Sequence, residues 1–185
     1  MNYFSVFVVH FIITIFIRNN ISIKKFSFGS ETFKNCSNLK TVKLSGWEDS
    51  IGSHAFEDCK NLEKVENGKW VAEVREFSFI NCENLENIDF PNLKYIWLRA
   101  FENCVSLKTF NFVKVKKIRM YAFNNCFSIS EIYLPLSVEM IVSKAFTNCP
   151  SLIINTAHVT KPELWYDGFK DNQTIINYNV TKKEK

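Results

Sequence analysis

Glycine and proline are scarce, with 5 and 4 residues in a chain of 185. That argues against a fold built on many tight glycine turns. No two cysteines stand two residues apart in a C-x-x-C pair, and the three histidines do not lie near cysteines at ligand spacing, so the sequence offers no zinc site. It also lacks a Gly-x-Ser-x-Gly elbow, a phosphate-binding glycine loop and a metal-binding histidine pair. No catalytic residue, cofactor or metal is therefore expected. Charge of neither sign dominates: 23 Lys and Arg face 19 Asp and Glu, for a net +4. Both signs are interspersed along the chain, which speaks against a nucleic-acid partner, because such a surface needs clustered cations. Long apolar runs are missing too. Residues 4–17 form a mainly apolar stretch of 14, short of the roughly 20 needed to cross a membrane as a helix.

What the chain has is phenylalanine (18) and six cysteines, both regularly placed. Cys36, Cys59, Cys82, Cys104, Cys126 and Cys149 follow one another at 23, 23, 22, 22 and 23 residues. Three residues before each stands Phe33, Phe56, Phe79, Phe101, Phe123 or Phe146. Three residues after each stands Leu39, Leu62, Leu85, Leu107, Ile129 or Leu152. The residue just before the cysteine is Asn35, Asp58, Asn81, Asn103, Asn125 or Asn148. Five before each phenylalanine lies Phe28, Ile51, Val74, Ile96, Ile118 or Ile141. Six copies of a five-point pattern define a repeat.

Each copy reads as structure. After the cysteine, Ile88 and Phe90 share one side and Asp89 takes the other, which is strand periodicity. A second short apolar step, such as Tyr95-Ile96-Trp97, follows. A compact turn around Ala100-Phe101 then closes the unit, expected as one helical or 3₁₀ turn. The fold expected is mainly β with such short turns, a solenoid of 22–23-residue coils in which equivalent phenylalanines stack. A degenerate seventh copy is expected around Leu164, Phe169, Asn172, Ile175 and Tyr178, and an eroded one upstream around Phe16 and Ile21. Trp47 and Trp70, nine before their phenylalanines, are expected in the core.

The unit aliphatic-x-x-Ile-x-aliphatic-Pro followed by Ile-x-x-x-Ala-Phe-x-Asn-Cys-x-x-Leu resembles the BspA-type leucine-rich repeat, most clearly from Leu85 to Leu107 and from Ile129 to Leu152. The resemblance covers roughly residues 16–180. It implies a leucine-rich-repeat solenoid and likeness to surface antigens of bacteria and protist parasites implicated in adhesion. The chain divides into an apolar segment 1–18 (signal peptide, anchor or eroded first repeat), a solenoid over 19–180 and a basic tail at 181–185. Membrane association is expected only through residues 1–18. The function expected is non-catalytic recognition or adhesion at the cell surface or after secretion. An intracellular, cytoplasmic interaction scaffold is the alternative, and reduced cysteines suit it.

The cysteines read either as a disulfide framework or as a column of buried free thiols, and the single repeat position favours the column. His54 has carboxylates nearby in sequence but no nucleophile, so it reads as a turn residue. Outward positions of the first strand make the natural contact face for a protein or glycan ligand: Lys40, Lys43, Glu63, Glu66, Glu86, Asp89, Lys108, Asn111, Glu131 and Tyr133. Tyr95 and Trp97, flanking the inward Ile96, are candidate anchors.

Overall fold

The computed structural model describes residues 29–44 and 48–181. The apolar segment 1–18, Phe16, Ile21, Phe28, Trp47 and the tail 182–185 lie outside the described residues. No described helix is long and apolar enough to cross a membrane.

Twelve short parallel strands carry the described chain. They are β1 (Thr41–Lys43), β2 (Ser50–Ile51), β3 (Lys64–Glu66), β4 (Glu73–Val74), β5 (Asn87–Ile88) and β6 (Tyr95–Ile96). They continue as β7 (Thr109–Phe110), β8 (Lys117–Ile118), β9 (Glu131–Leu134), β10 (Met140–Ile141), β11 (Ile153–Thr156) and β12 (Ile175–Asn177). Each coil gives one strand to each of two ladders. The first ladder runs β1-β3-β5-β7 and resumes as β9-β11-β12; the second runs β2-β4-β6-β8-β10 without a break. Pairing joins equivalent residues of successive coils, as in Val42–Val65 and Ile51–Val74. The strands stay short because each coil must turn several times within 22 or 23 residues to return to its starting register.

The six repeat phenylalanines form one row. Neighbouring rings lie 5.1–5.3 Å apart and are tilted by no more than 11°. The strand spacing of about 4.8 Å imposes that separation. Each ring removed from water contributes about 1.5–3 kcal/mol. The repeat leucines and isoleucines fill the rest of the interior, and together they make one continuous apolar core.

Two features of each turn explain its sequence. The residue before the cysteine adopts a left-handed conformation in every copy, from Asn35 (φ 63°) to Asn148 (φ 56°). Asn and Asp tolerate that region best among residues with a side chain. The residue two before the phenylalanine does the same, at Glu31, His54, Phe77, Arg99, Tyr121 and Lys144. None of these is β-branched, as that region requires. A left-handed residue breaks a helical run. The turn therefore consists of linked hydrogen-bonded turns (Ala100 N to Trp97 O, 3.3 Å; Cys104 N to Phe101 O, 3.2 Å), and no helical element forms among the described residues.

The same asparagines form a side-chain row. Asn81 donates to Asp58 (2.8 Å), Asn103 to Asn81 (2.6 Å), Asn125 to Asn103 (2.7 Å) and Asn148 to Asn125 (2.7 Å). The cysteines are free. Each thiol from Cys59 onward donates to the carbonyl of the preceding coil's phenylalanine, Cys59 to Phe33 O at 3.0 Å and Cys126 to Phe101 O at 3.2 Å. Burial pushes the Cys59 and Cys149 thiols up to about 12. It raises those of Cys82, Cys104 and Cys126 well above the ordinary value. Cys36, in the first described coil, is only half-buried.

Three core expectations change. Trp70 is 53% exposed, with the Lys69 ammonium 5.2 Å from its ring centroid. The inward residue is its neighbour Val71, which heads a buried column with Leu93, Val115 and Val138. In the seventh coil the inward residue is Trp165, which bridges Ile141, and not Leu164. Ile175 points outward there, while Thr174 is buried and Ile176 pairs with Ile154. Phe169 is buried, but Lys170 stands in register with Phe146, so Phe169 does not extend the phenylalanine row. The offset between these coils is 24 residues, one more than the repeat spacing, so Trp165 takes the isoleucine position. Its N–H reaches Val138 O at 3.1 Å.

Candidate functional site

The first ladder interrupts between β7 and β9, although the repeat spacing there is an ordinary 22 residues. The inward position of this ladder holds Val42, Val65, Ile88, Ile132 and Ile154 in the other coils. In β7 it holds Phe110. That ring packs edge-on against Phe101 (5.1 Å) and Phe123 (4.9 Å) and beside Phe112 (4.7 Å). Two phenylalanines at 110 and 112 need more room than one coil spacing provides. Strand β9 does not close onto β7, and Phe110 stays partly exposed.

A groove of about 750 Å³ opens across β3, β5, β7 and β9 on this face. Its lining includes Phe110, which is partly exposed, and the buried inward residues Val65, Ile88, Phe112 and Ile132. Its rim carries Glu66, Asp89, Asn111, Glu131 and Tyr133, together with Lys64 and Lys69. Gly68 lines it for a steric reason: a Cβ there would lie 2.1 Å from Phe90 Cδ1, so only glycine lets the Phe90 ring lie against that backbone.

The residues singled out from the sequence separate into three sets. Glu66, Asp89, Asn111, Glu131 and Tyr133 line the groove. Lys40, Lys43, Glu63, Glu86 and Lys108 are exposed on the same ladder, outside the groove lining. Most of their charges are engaged between coils, as in Lys40–Glu63 (3.8 Å) and Lys108–Glu86 (3.0 Å); such exposed pairs are worth under about 1 kcal/mol. Tyr95 and Trp97 stand apart from both, half-buried on the second ladder, where Tyr95 lies between Glu73 and Lys117. The Arg119 guanidinium lies 5.3 Å from the Trp97 ring centroid.

Sequence reasoning missed Phe110, Lys69 and Gly68 as parts of this groove. The available signal was an aromatic at a position that is Val or Ile in the flanking copies. His54 hydrogen-bonds Glu57 through Nδ1 and stacks on Phe77 at 4.7 Å. Burial pushes the Glu57 carboxyl up, but hydrogen bonds from His54 and Lys34 outweigh this and hold it below its ordinary value. Among the described residues, no His, Cys, Asp and Glu side chains group in a way that would hold a metal ion.

Parallel coils of this length, with a strand followed by a short turn and stacked on one apolar interior, define a leucine-rich-repeat solenoid. The family model described as the BspA type leucine rich repeat region matches residues 26–153 in six copies, so the chain belongs to that family. Solved structures share the fold. A leucine-rich-repeat protein of T. pallidum is 24% identical with a TM-score of 0.66, over 84% of this chain and 68% of that one. A leucine-rich cell surface protein of Faecalibacterium prausnitzii is 21% identical with a TM-score of 0.55, over 74% and 45%. A leucine-rich-repeat protein of Eubacterium ventriosum is 25% identical with a TM-score of 0.59, over 78% and 37%. The chain thus spans less than half the length of the last two. No curated protein matches the sequence.

Proposed function

We propose that this protein is a non-catalytic recognition module that holds a protein partner in the groove beside the β7–β9 break, at the cell surface or after secretion. The observation that carries this reading is the partly exposed Phe110 ring in a groove whose lining also carries carboxylates and amides. Interfaces place apolar anchors at the centre and polar groups around them. Phe110 is the apolar anchor here, and an apolar side chain of a protein partner is its counterpart. Six free thiols favour a second setting for the same groove, an interaction scaffold inside a reducing compartment.

Photo-crosslinking tests the groove. A benzophenone side chain replaces Asn111 or Tyr133 in one pair of variants and Ser50, on the second ladder, in another. Discrete adducts from the groove positions that disappear on adding unlabelled protein are the expected result. Adducts from Ser50 alone would overturn the assignment. Labelling of intact cells with an impermeant biotin reagent separates the two settings: a labelled chain supports surface display, and labelling only after lysis supports the scaffold.

A further inference from the structure

The second ladder gathers positive charge that the sequence disperses. Lys94, Arg99, Lys116, Lys117, Arg119 and Lys144 come from three successive coils, on the second ladder and the turn that follows it. The main-chain bond from Lys116 N to Lys94 O (2.8 Å) sets two of them one coil apart. Lys117 lies beside Tyr95 in register. Arg119 lies over Trp97, with Nη1 3.9 Å from Met140 Sδ. Arg99 and Lys144 approach the Tyr121 ring centroid at 4.7 and 5.5 Å.

Few carboxylates answer these cations. Lys116 meets Glu139 at 3.8 Å and Arg99 meets Glu102 at 3.0 Å. At the edge of the patch, Glu73 is engaged by Arg75 (3.8 Å). Among the described residues, Lys94, Lys117, Arg119 and Lys144 have no ion pair. On the first ladder the lysines do find acids, as in Lys40–Glu63, Lys64–Glu66 and Lys108–Glu86. The cause is the period. Charges interspersed along the chain become a cluster when the coil length brings residues 94, 116 and 117 to one side.

We infer that this face binds a sulfated, polyanionic glycan through Lys94, Lys117 and Arg119, with Arg99, Lys116 and Lys144 around them. Lys94 and Lys116 stand one coil apart, about 4.8 Å, and Lys117 and Arg119 follow two residues apart on the same coil, which suits a linear polymer carrying closely spaced anionic groups. Arg119 is ordered by its aromatic contact, and a guanidinium pairs two-pronged with a sulfate. The same contact decides against two other polyanions. Arg119 occupies one face of the half-buried Trp97 ring, which disfavours stacking of a nucleic-acid base there and leaves no protruding anchor for a membrane.

Retention of the full-length protein on immobilised heparin, eluted by a salt gradient, tests the inference. The parent is expected to stay bound above about 150 mM salt. The K94S/K117S/R119S triple is expected to lose about tenfold or more in affinity, and R119K part of that. The K40S/K43S/K108S triple removes the same charge from the first ladder and should change little. Thermal melts confirm that each variant is folded, and the single R119Q replaces the triple if it is not. Equal losses in the two triples would reduce the effect to net charge. That result, failure of the parent to bind, equal binding to desulfated heparin, or tighter capture of duplex DNA or polyglutamate than of heparin would each overturn the proposal.

Discussion

The two strand ladders are built from the same repeat, yet one is continuous and the other is split. In the second ladder every inward residue is Val or Ile, from Ile51 to Ile141, and all five strands pair. In the first, one Phe at position 110 parts β7 from β9. The coils still hold together there. The Phe101–Phe123 stack continues beneath the break at 5.3 Å, and the Cys126 thiol reaches Phe101 O. Backbone pairing and side-chain stacking are therefore separable in this fold: the aromatic row and thiol column keep the coils joined, while one ladder is free to open into a surface feature.

The largest effect should come from removing the support under the break. Phe101→Ala deletes the ring against which Phe110 packs, and should cost about 3–5 kcal/mol of stability. Phe169→Ala, in the last described coil, should cost less because it has a neighbour on one side only. Urea or thermal unfolding of both variants decides; equal losses would contradict a shared interior with a weaker end.

Alkaline pH probes the thiol column that spans both ladders. Each folded thiol titrates above its unfolded value, so its contribution is complete below about pH 8.5. It erodes as the unfolded chain ionises and is gone once pH passes the folded value, which is about 12 for Cys59 and Cys149. Each fully buried thiol should steepen the loss by up to about 1.4 kcal/mol per pH unit. Urea midpoints measured between pH 8 and 10.5 should fall; a flat profile would mean that the thiols are not held neutral by the fold.

The smallest effect on stability, and the sharpest on the comparison, belongs to Phe110→Ile. It restores the residue type of the flanking coils and should shift stability by less than about 1.5 kcal/mol. Strands β7 and β9 should then pair, protecting amides of Glu131 to Tyr133 from hydrogen exchange. Unchanged exchange would show that the break has another cause.

Much of this was legible in the sequence, because a repeat multiplies every weak signal. The inward phenylalanines, the alternation of Ile88, Asp89 and Phe90, and the coil length came from spacing alone. What escaped has physical reasons. Trp70 was misplaced because one residue decides which way a side chain points at a turn, and periodicity fails there. The seventh coil is out of phase because it is one residue longer than the period, which brings Trp165 instead of Leu164 into the inward register. The β7–β9 break depends on volume, and an apolar pattern does not distinguish Phe110 from isoleucine. The cations of the second ladder were hidden because charge was counted along the chain and not around the coil.

The asparagine row has a direction. Every amide N–H₂ points toward the earlier coil, and the last donor in that sense, Asn81, ends on Asp58. An ionised carboxylate only accepts, so Asp58 passes nothing on to Asn35 and fixes the orientation of every amide after it. An acid at an interior rung, Asn103 or Asn125, would set two acceptors face to face. The one departure from asparagine in the six copies is thus where the row of donors stops, one coil short of Asn35.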